Sequence, residues 1–182
     1  MNSENDRVTS GPLRVSEANP RYFSDRSGRI VYLAGSHTWA NWIEHKTSQD
    51  EPDFDFDAYL DFLVEHNHNF MRLWGWEHTR WATWDGTGRF FAYPLAYART
   101  GPGTVLDGLP KFDLTKFDPD YFSRLRTRCI AAGKRGIYVA VKFFDGFSVG
   151  FKGGTADRRV PSRNPWRGHP FNRENNINGI DG

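Results

Sequence analysis

An arginine, a histidine, two carboxylates and a run of tryptophans stand where chemistry collects in α/β proteins, at the carboxyl ends of the predicted strands. The first strand end offers His37 and Trp39, with Trp42 close behind. The second offers Arg72, Trp74, Trp76 and Glu77, and the third Phe143, Phe144, Asp145 and Phe147. Trp81 and Trp84 follow in the connection after the second strand. The electron-rich face of an indole packs well on the C–H face of a sugar ring, while Arg, His and carboxylates bind its hydroxyls. The same rings could equally be core, because aromatics bury the most area per residue. Glu77 and Asp145 are the only carboxylates at these ends. Glycoside hydrolysis needs such a pair, one as acid and one as nucleophile or base. Each alternatively serves as a partner for Arg72 or as a loop cap. Arg72, flanked by Met71 and Leu73, is expected to be buried and therefore to require a carboxylate. At the floor of a site, that ion pair would fix a catalytic carboxylate and lower its pKa.

Other chemistries lack their residues. The lone cysteine, Cys129, excludes a disulfide framework and a cysteine-based zinc cluster. His66 and His68 are the one close histidine pair, at a spacing no metal motif uses, so neither metal nor cofactor is expected. There is no phosphate-binding loop, dinucleotide fingerprint or serine-hydrolase elbow; Gly101-Pro-Gly and Gly153-Gly are turns. The net charge of +2 is too balanced to argue for nucleic acid or an anionic membrane, and the mix of aromatic and polar residues at the strand ends makes carbohydrate the expected partner. No apolar run approaches the roughly 18 residues of a spanning helix. An aromatic content of 16% excludes a disordered segment, and 182 residues suffice for one domain with a real core. Residues 1–7 lack the apolar stretch of a signal peptide, which places the chain as written in the cytoplasm, or outside the cell if an upstream segment precedes it.

The elements that must position these residues follow from patterning. Residues 1–12 read as a flexible leader. Asp25 to Gly28 supplies a turn between two β-prone runs, a hairpin whose second run continues as a strand over 30–34. Phe56, Leu60, Leu63 and Val64 fall at helical spacing over 55–65, and Asn67 can end that helix. A second strand starts at Phe70, and residues 78–115 form a connection long enough to be functional. Asp118-Pro119 predicts a helix start, with Phe122, Leu125, Cys129 and Ala132 as the buried stripe. A third strand begins at Ile137, and no periodic segment follows Gly146. The order hairpin, β, α, β, α, β with near-continuous apolar strands predicts an α/β fold with a parallel sheet under crossover helices.

Several segments resemble a known group. Asn19-Pro-Arg-Tyr-Phe-Ser-Asp25, Val31-Tyr-Leu-Ala-Gly-Ser-His-Thr-Trp39 and Asn69-Phe-Met-Arg-Leu-Trp-Gly-Trp-Glu77 are similar to the opening of clan A glycoside hydrolases, the cellulase-like family 5 and apiosidase-like enzymes. Phe143-Phe-Asp-Gly-Phe-Ser148 and the run from His169 to Gly182 extend the likeness from about residue 12 to the last residue. The resemblance implies a (β/α)8 barrel and hydrolysis of O-glycosyl bonds in a polysaccharide or oligosaccharide. It makes Arg72 the active-site arginine and sets His37, Trp39, Trp74 and Trp76 around the −1 region. The group's catalytic pair follows its fourth and seventh strands, which have no match here, and Lys142 stands where an apolar residue is expected. A (β/α)8 barrel takes roughly 250 residues. Residues 13–182 are therefore read as the N-terminal portion of a TIM barrel, about three βα units preceded by a β-hairpin and inactive alone. A non-catalytic carbohydrate-binding protein and a small complete α/β domain are the alternatives.

Overall fold

A computed structural model describes residues 8–48, 50–82, 89–144, 146–154 and 164–182. The chain opens with three short strands, β1 (Arg14–Val15), β2 (Phe23–Ser24) and β3 (Ile30–Val31), in an antiparallel sheet of that order. The expected turn at 25–28 joins β2 to β3. Asp25 holds it, accepting the Ser27 N–H at 2.9 Å, the Ser27 hydroxyl at 2.6 Å and the Arg29 N–H at 3.1 Å. The Ser27 hydroxyl is the chief reason the Asp25 carboxyl sits below the ordinary carboxylate range. Ahead of this sheet, the Thr9 N–H donates to Gly133.

After β4 (Glu44–Lys46) comes α1 (Phe56–Glu65), capped by Asp55, whose side chain accepts the Ala58 N–H. Phe56, Leu60 and Leu63 are its buried face. Asn67, at φ 57°, stops the helix: its N–H reaches Val64 and that of His68 reaches Leu63, so the last carbonyls are satisfied by a left-handed turn. β5 (Phe70–Trp74) follows and pairs in parallel with β10 (Tyr138–Lys142), Phe70 opposite Tyr138 and Trp74 opposite Lys142. On its other side Asn69 holds residues 32–35. Its side chain donates to Tyr32 and accepts from Ala34, and its N–H donates to the Ala34 carbonyl. A Cβ on Gly35 would sit 1.7 Å from the Phe70 carbonyl oxygen, so glycine alone permits this approach. Three chain segments thus lie side by side in the order 32–35, β5, β10.

The long connection is not a loop. It contains β6 (Arg80–Ala82) and β7 (Arg89–Tyr93), which make a three-stranded antiparallel sheet with β4, and the hairpin β8 (Tyr97–Thr104) and β9 (Pro110–Phe117). Inside that hairpin Arg99 reaches Asp107 at 2.5 Å and lies 4.3 Å above the Phe112 ring.

Helix α2 (Pro119–Lys134) starts as expected, with Asp118 accepting the Asp120 N–H and Pro119 in the first turn. Its buried face differs from the expected stripe. Tyr121, Arg128 and Ala132 are buried, Leu125 and Cys129 are half-buried, and Phe122 is 38% exposed. A charge enters the core because its partner waits there. Glu44, 2% exposed, takes Arg124 and Arg128 on one carboxylate oxygen, and its other oxygen accepts the Phe54 N–H at 2.9 Å. Arg128 also donates to the Asn41 carbonyl and lies 4.6 Å above the Phe56 ring. Burial pushes both guanidinium groups down to about 10, which leaves them charged at neutral pH. The short helix α3 (Gly146–Val149) and single turns at Lys152–Gly154 and Pro165–Gly168 complete the described elements. Among them no helix is long and apolar enough to cross a membrane.

Removing one partner of a buried ion pair strands the other charge, at a cost of about 3 kcal/mol or more. Glu44→Gln is expected to lower stability by that amount in urea unfolding. Arg135→Gln, which cuts exposed pairs to Asp57 and Asp61, is expected to cost about 0.5 kcal/mol or less.

Candidate functional site

The strand ends of β5 and β10 carry a continuous cluster of rings. Asn41 fixes where it begins. Its fully buried amide donates to the Arg72 carbonyl at 2.6 Å and accepts the Trp74 N–H at 3.3 Å, anchoring the last turn of β5 from outside the sheet. Trp74 then stacks on His37, ring centroids 5.4 Å apart, and on Trp76 at 5.6 Å. Trp39 meets Trp76 edge-on at 6.0 Å and accepts the Trp76 indole N–H on its backbone carbonyl. The Lys142 ammonium lies 4.3 Å above the Trp74 ring and the Arg72 guanidinium 5.6 Å away. Cations over indole faces are attracted by the ring quadrupole. That explains a lysine where an apolar residue is expected.

Exposure divides the cluster into floor and face. Trp76 is 5% exposed and is the floor, with His45, His78 and Phe147 also against it. Trp39 is 50% exposed, His37 and Arg72 are exposed, and Trp74 is half-buried. Gly75 lets the strand pass, because a Cβ there would lie 2.7 Å from the Lys142 carbonyl oxygen and 2.9 Å from the Trp42 ring. His37 and Arg72 also line a recess of about 50 Å³ with Gly35, Ser36, Phe70 and Met71.

The expectation for Arg72 is corrected. The side chain is exposed rather than buried, so water solvates it and no carboxylate is required. Its position in β5 points it out of the apolar layer that takes Met71 and Leu73. Glu77 lies elsewhere in the cluster, half-buried beside His169, whose Nε2 is 3.5 Å from Glu77 Oε2. Asp145, Trp84 and the side chain of Trp81 lie outside the described residues. Phe143 and Phe144 are largely exposed. Among the described residues no group of three or more His, Cys, Asp or Glu side chains could hold a metal ion. A roomier concavity of about 600 Å³ is lined by Lys46, Phe91, Tyr93 and Leu109, but Lys46 there is committed to Asp53.

Two buried imidazoles, His78 and His169, and the half-buried His45 carry no signal in the sequence. No periodic pattern marks them: His45 and His78 meet only in the fold, and His169 is covered by Trp166 in a segment without periodicity. His78 meets the Ser148 hydroxyl at 3.2 Å, and its ring lies 5.7 Å from that of His45. Burial pushes the His45 pKa down to about 4 and that of His78 well below its ordinary value, with His45 and His169 adding to the latter. Both rings are neutral at physiological pH, as an apolar floor demands.

Comparison with protein-family models, with curated proteins and with solved structures finds no match.

The buried imidazoles generate a pH dependence with a definite sign. An unfolded histidine takes its proton near 6.5, and folded His45 only near 4. Stability from the neutral ring is full above 6.5, falls as pH drops from 6.5 to 4, and levels below 4. This shift corresponds to about 3 kcal/mol. Urea unfolding across this range should show the decline, and His45→Gln should make it shallower while leaving the part due to His78. Carboxylates act lower: Asp25 and Asp113, both held below 3.8, lose their contribution only as pH falls beneath that value.

Proposed function

We propose that the chain supplies the sugar-binding part of a glycoside hydrolase active site, as the first βα units of a (β/α)8 barrel. The observation that carries this reading is the ring face at the carboxyl ends of two parallel strands. Trp39 and His37 are exposed above a Trp74–Trp76 floor, with Arg72 and Lys142 at hand for hydroxyls. Indole faces offer sugar C–H groups a dry, polarisable surface, and the two cations offer hydrogen-bond donors to ring oxygens and hydroxyls. The neighbouring segments 32–35, β5 and β10, with α1 and α2 between them in the chain, suit a barrel wall. In this reading the acid/base and nucleophile belong to later strands, and Glu77 and Asp145 bind substrate. The hydrolase reading comes from the sequence resemblance, and the ring face supports the carbohydrate part of it.

Titration of intrinsic tryptophan fluorescence with cellohexaose, xylohexaose and arabinan oligosaccharides tests it. A saturable change with at least one of them is expected, weakened about tenfold, or ~1.4 kcal/mol, in Trp39→Ala. Trp39 is half exposed, so its truncation should leave the fold intact. No saturable change with any of the three would overturn the reading. Reducing-sugar release by the chain itself would instead move catalysis onto Glu77 and Asp145.

A further inference from the structure

We propose that Arg72 makes the ring face a subsite for acidic sugars, its guanidinium holding the carboxylate of a hexuronate whose pyranose ring rests on the indoles. This rests on the carbohydrate reading of the ring face and names the class of sugar within it. Arg72 is exposed, and among the described residues its side chain makes neither a hydrogen bond nor an ion pair. Its contact is the Trp74 ring, whose centroid lies 5.6 Å from the guanidinium carbon. An indole face attracts a guanidinium without taking up its N–H groups as an acceptor oxygen would, so the donors remain for a ligand. The strand register keeps them open as well. Ala140 of β10 stands opposite Arg72, and a methyl group there cannot cover the guanidinium.

The chemistry of the group selects the ligand. Two parallel N–H groups of a guanidinium match the two coplanar oxygens of a carboxylate, and such charge-assisted pairs are stronger than the single neutral bond a hydroxyl accepts. The carboxylate of a hexuronate projects from the rim of its pyranose ring. A sugar lying on the aromatic face therefore presents that group to a cation at the edge of the same face. Arg72 and His37 line the recess of about 50 Å³ there. That space takes a few heavy atoms, as a carboxylate has, while the pyranose stays outside on the rings. His37 is exposed, stacks on Trp74 and makes no hydrogen bond among the described residues, so its ring N–H is a further donor beside the recess. The local charge agrees with an anionic ligand. A second cation, the Lys142 ammonium, lies 4.3 Å above the Trp74 ring, and Glu77, three residues on, faces His169.

Tryptophan fluorescence titrations of matched pairs test it: cellohexaose against the β-1,4-linked hexamer of glucuronate, and xylohexaose against the same chain bearing a glucuronate branch. In at least one pair the acidic member is expected to bind about tenfold more tightly at low salt, with the advantage shrinking at about 0.5 M NaCl because the ion pair is exposed. Arg72→Gln removes the charge from an exposed side chain and keeps an amide that can donate to a hydroxyl. It should bring the two members of that pair to within about twofold of each other. A preference that survives Arg72→Gln would overturn the subsite. So would the absence of any preference in both pairs while Trp39→Ala still weakens neutral binding, a result that leaves the ring face standing. No saturable binding of cellohexaose, xylohexaose or arabinan oligosaccharides, or neutral binding indifferent to Trp39→Ala, would overturn both. Binding of the acidic members alone would then mark an anion site without a sugar platform.

Discussion

The position of the ring cluster depends on one buried carboxylate. Glu44 is surrounded by two guanidinium groups from α2 and a backbone N–H from residue 54. Ion pairs in a low-dielectric interior repay their desolvation only when every charge is satisfied, and this one meets that condition. Arg128 spends another N–H on the Asn41 carbonyl, and the Asn41 side chain grips β5 at Arg72 and Trp74. Helix, loop and strand are thereby tied in series. Trp74 is placed by backbone hydrogen bonds, and the stacking of His37 and Trp76 then builds on a fixed ring.

Fixing the rings in this way sets the charge state around them. A buried aromatic floor suits neutral imidazoles, and burial keeps His45 and His78 neutral. Cations are accommodated differently. Lys142 and Arg72 lie over the Trp74 ring, whose quadrupole attracts both.

Local signals in the sequence read well. The Asp25–Gly28 turn, the Asp55 and Asp118 caps, the stop at Asn67 and the apolar strands at 70 and 137 each depend on residues within one turn of each other. What depends on distant partners did not read. Residues 97–117 look like a loop because Gly101, Pro102 and Gly103 interrupt them, yet Arg99 bonded to Asp107 and packed on Phe112 closes a hairpin around that interruption. The face of α2 is turned by Arg128, whose burial is made tolerable by distant partners: Glu44, 84 residues away, the Asn41 carbonyl and the Phe56 ring. Arg72 misleads for the opposite reason: its apolar neighbours in sequence point to the other side of the strand. Among the site residues, His37, Trp39, Trp74 and Trp76 do come together, and Glu77 joins them through the chain. His169 gave no signal, because its ring is buried by Trp166 and aimed by Phe171 in a segment without periodicity.

Residues 74–78 concentrate these constraints in five positions. Trp74 and Trp76 belong to the ring cluster, Glu77 to the group of Tyr97, Tyr121 and His169, and His78 to the buried pair with Ser148. Gly75 has no side chain because Trp42 and the Lys142 carbonyl occupy its space. A strand that continued past Trp74 would send alternate residues to two faces only. By leaving the strand at Trp74, the chain sends Trp76 and His78 to the ring cluster and Glu77 toward Tyr97, Tyr121 and His169, while Gly75 is pressed between Trp42 and the Lys142 carbonyl. Anchoring by distant parts of the protein gives this segment a rigidity that loops by themselves lack.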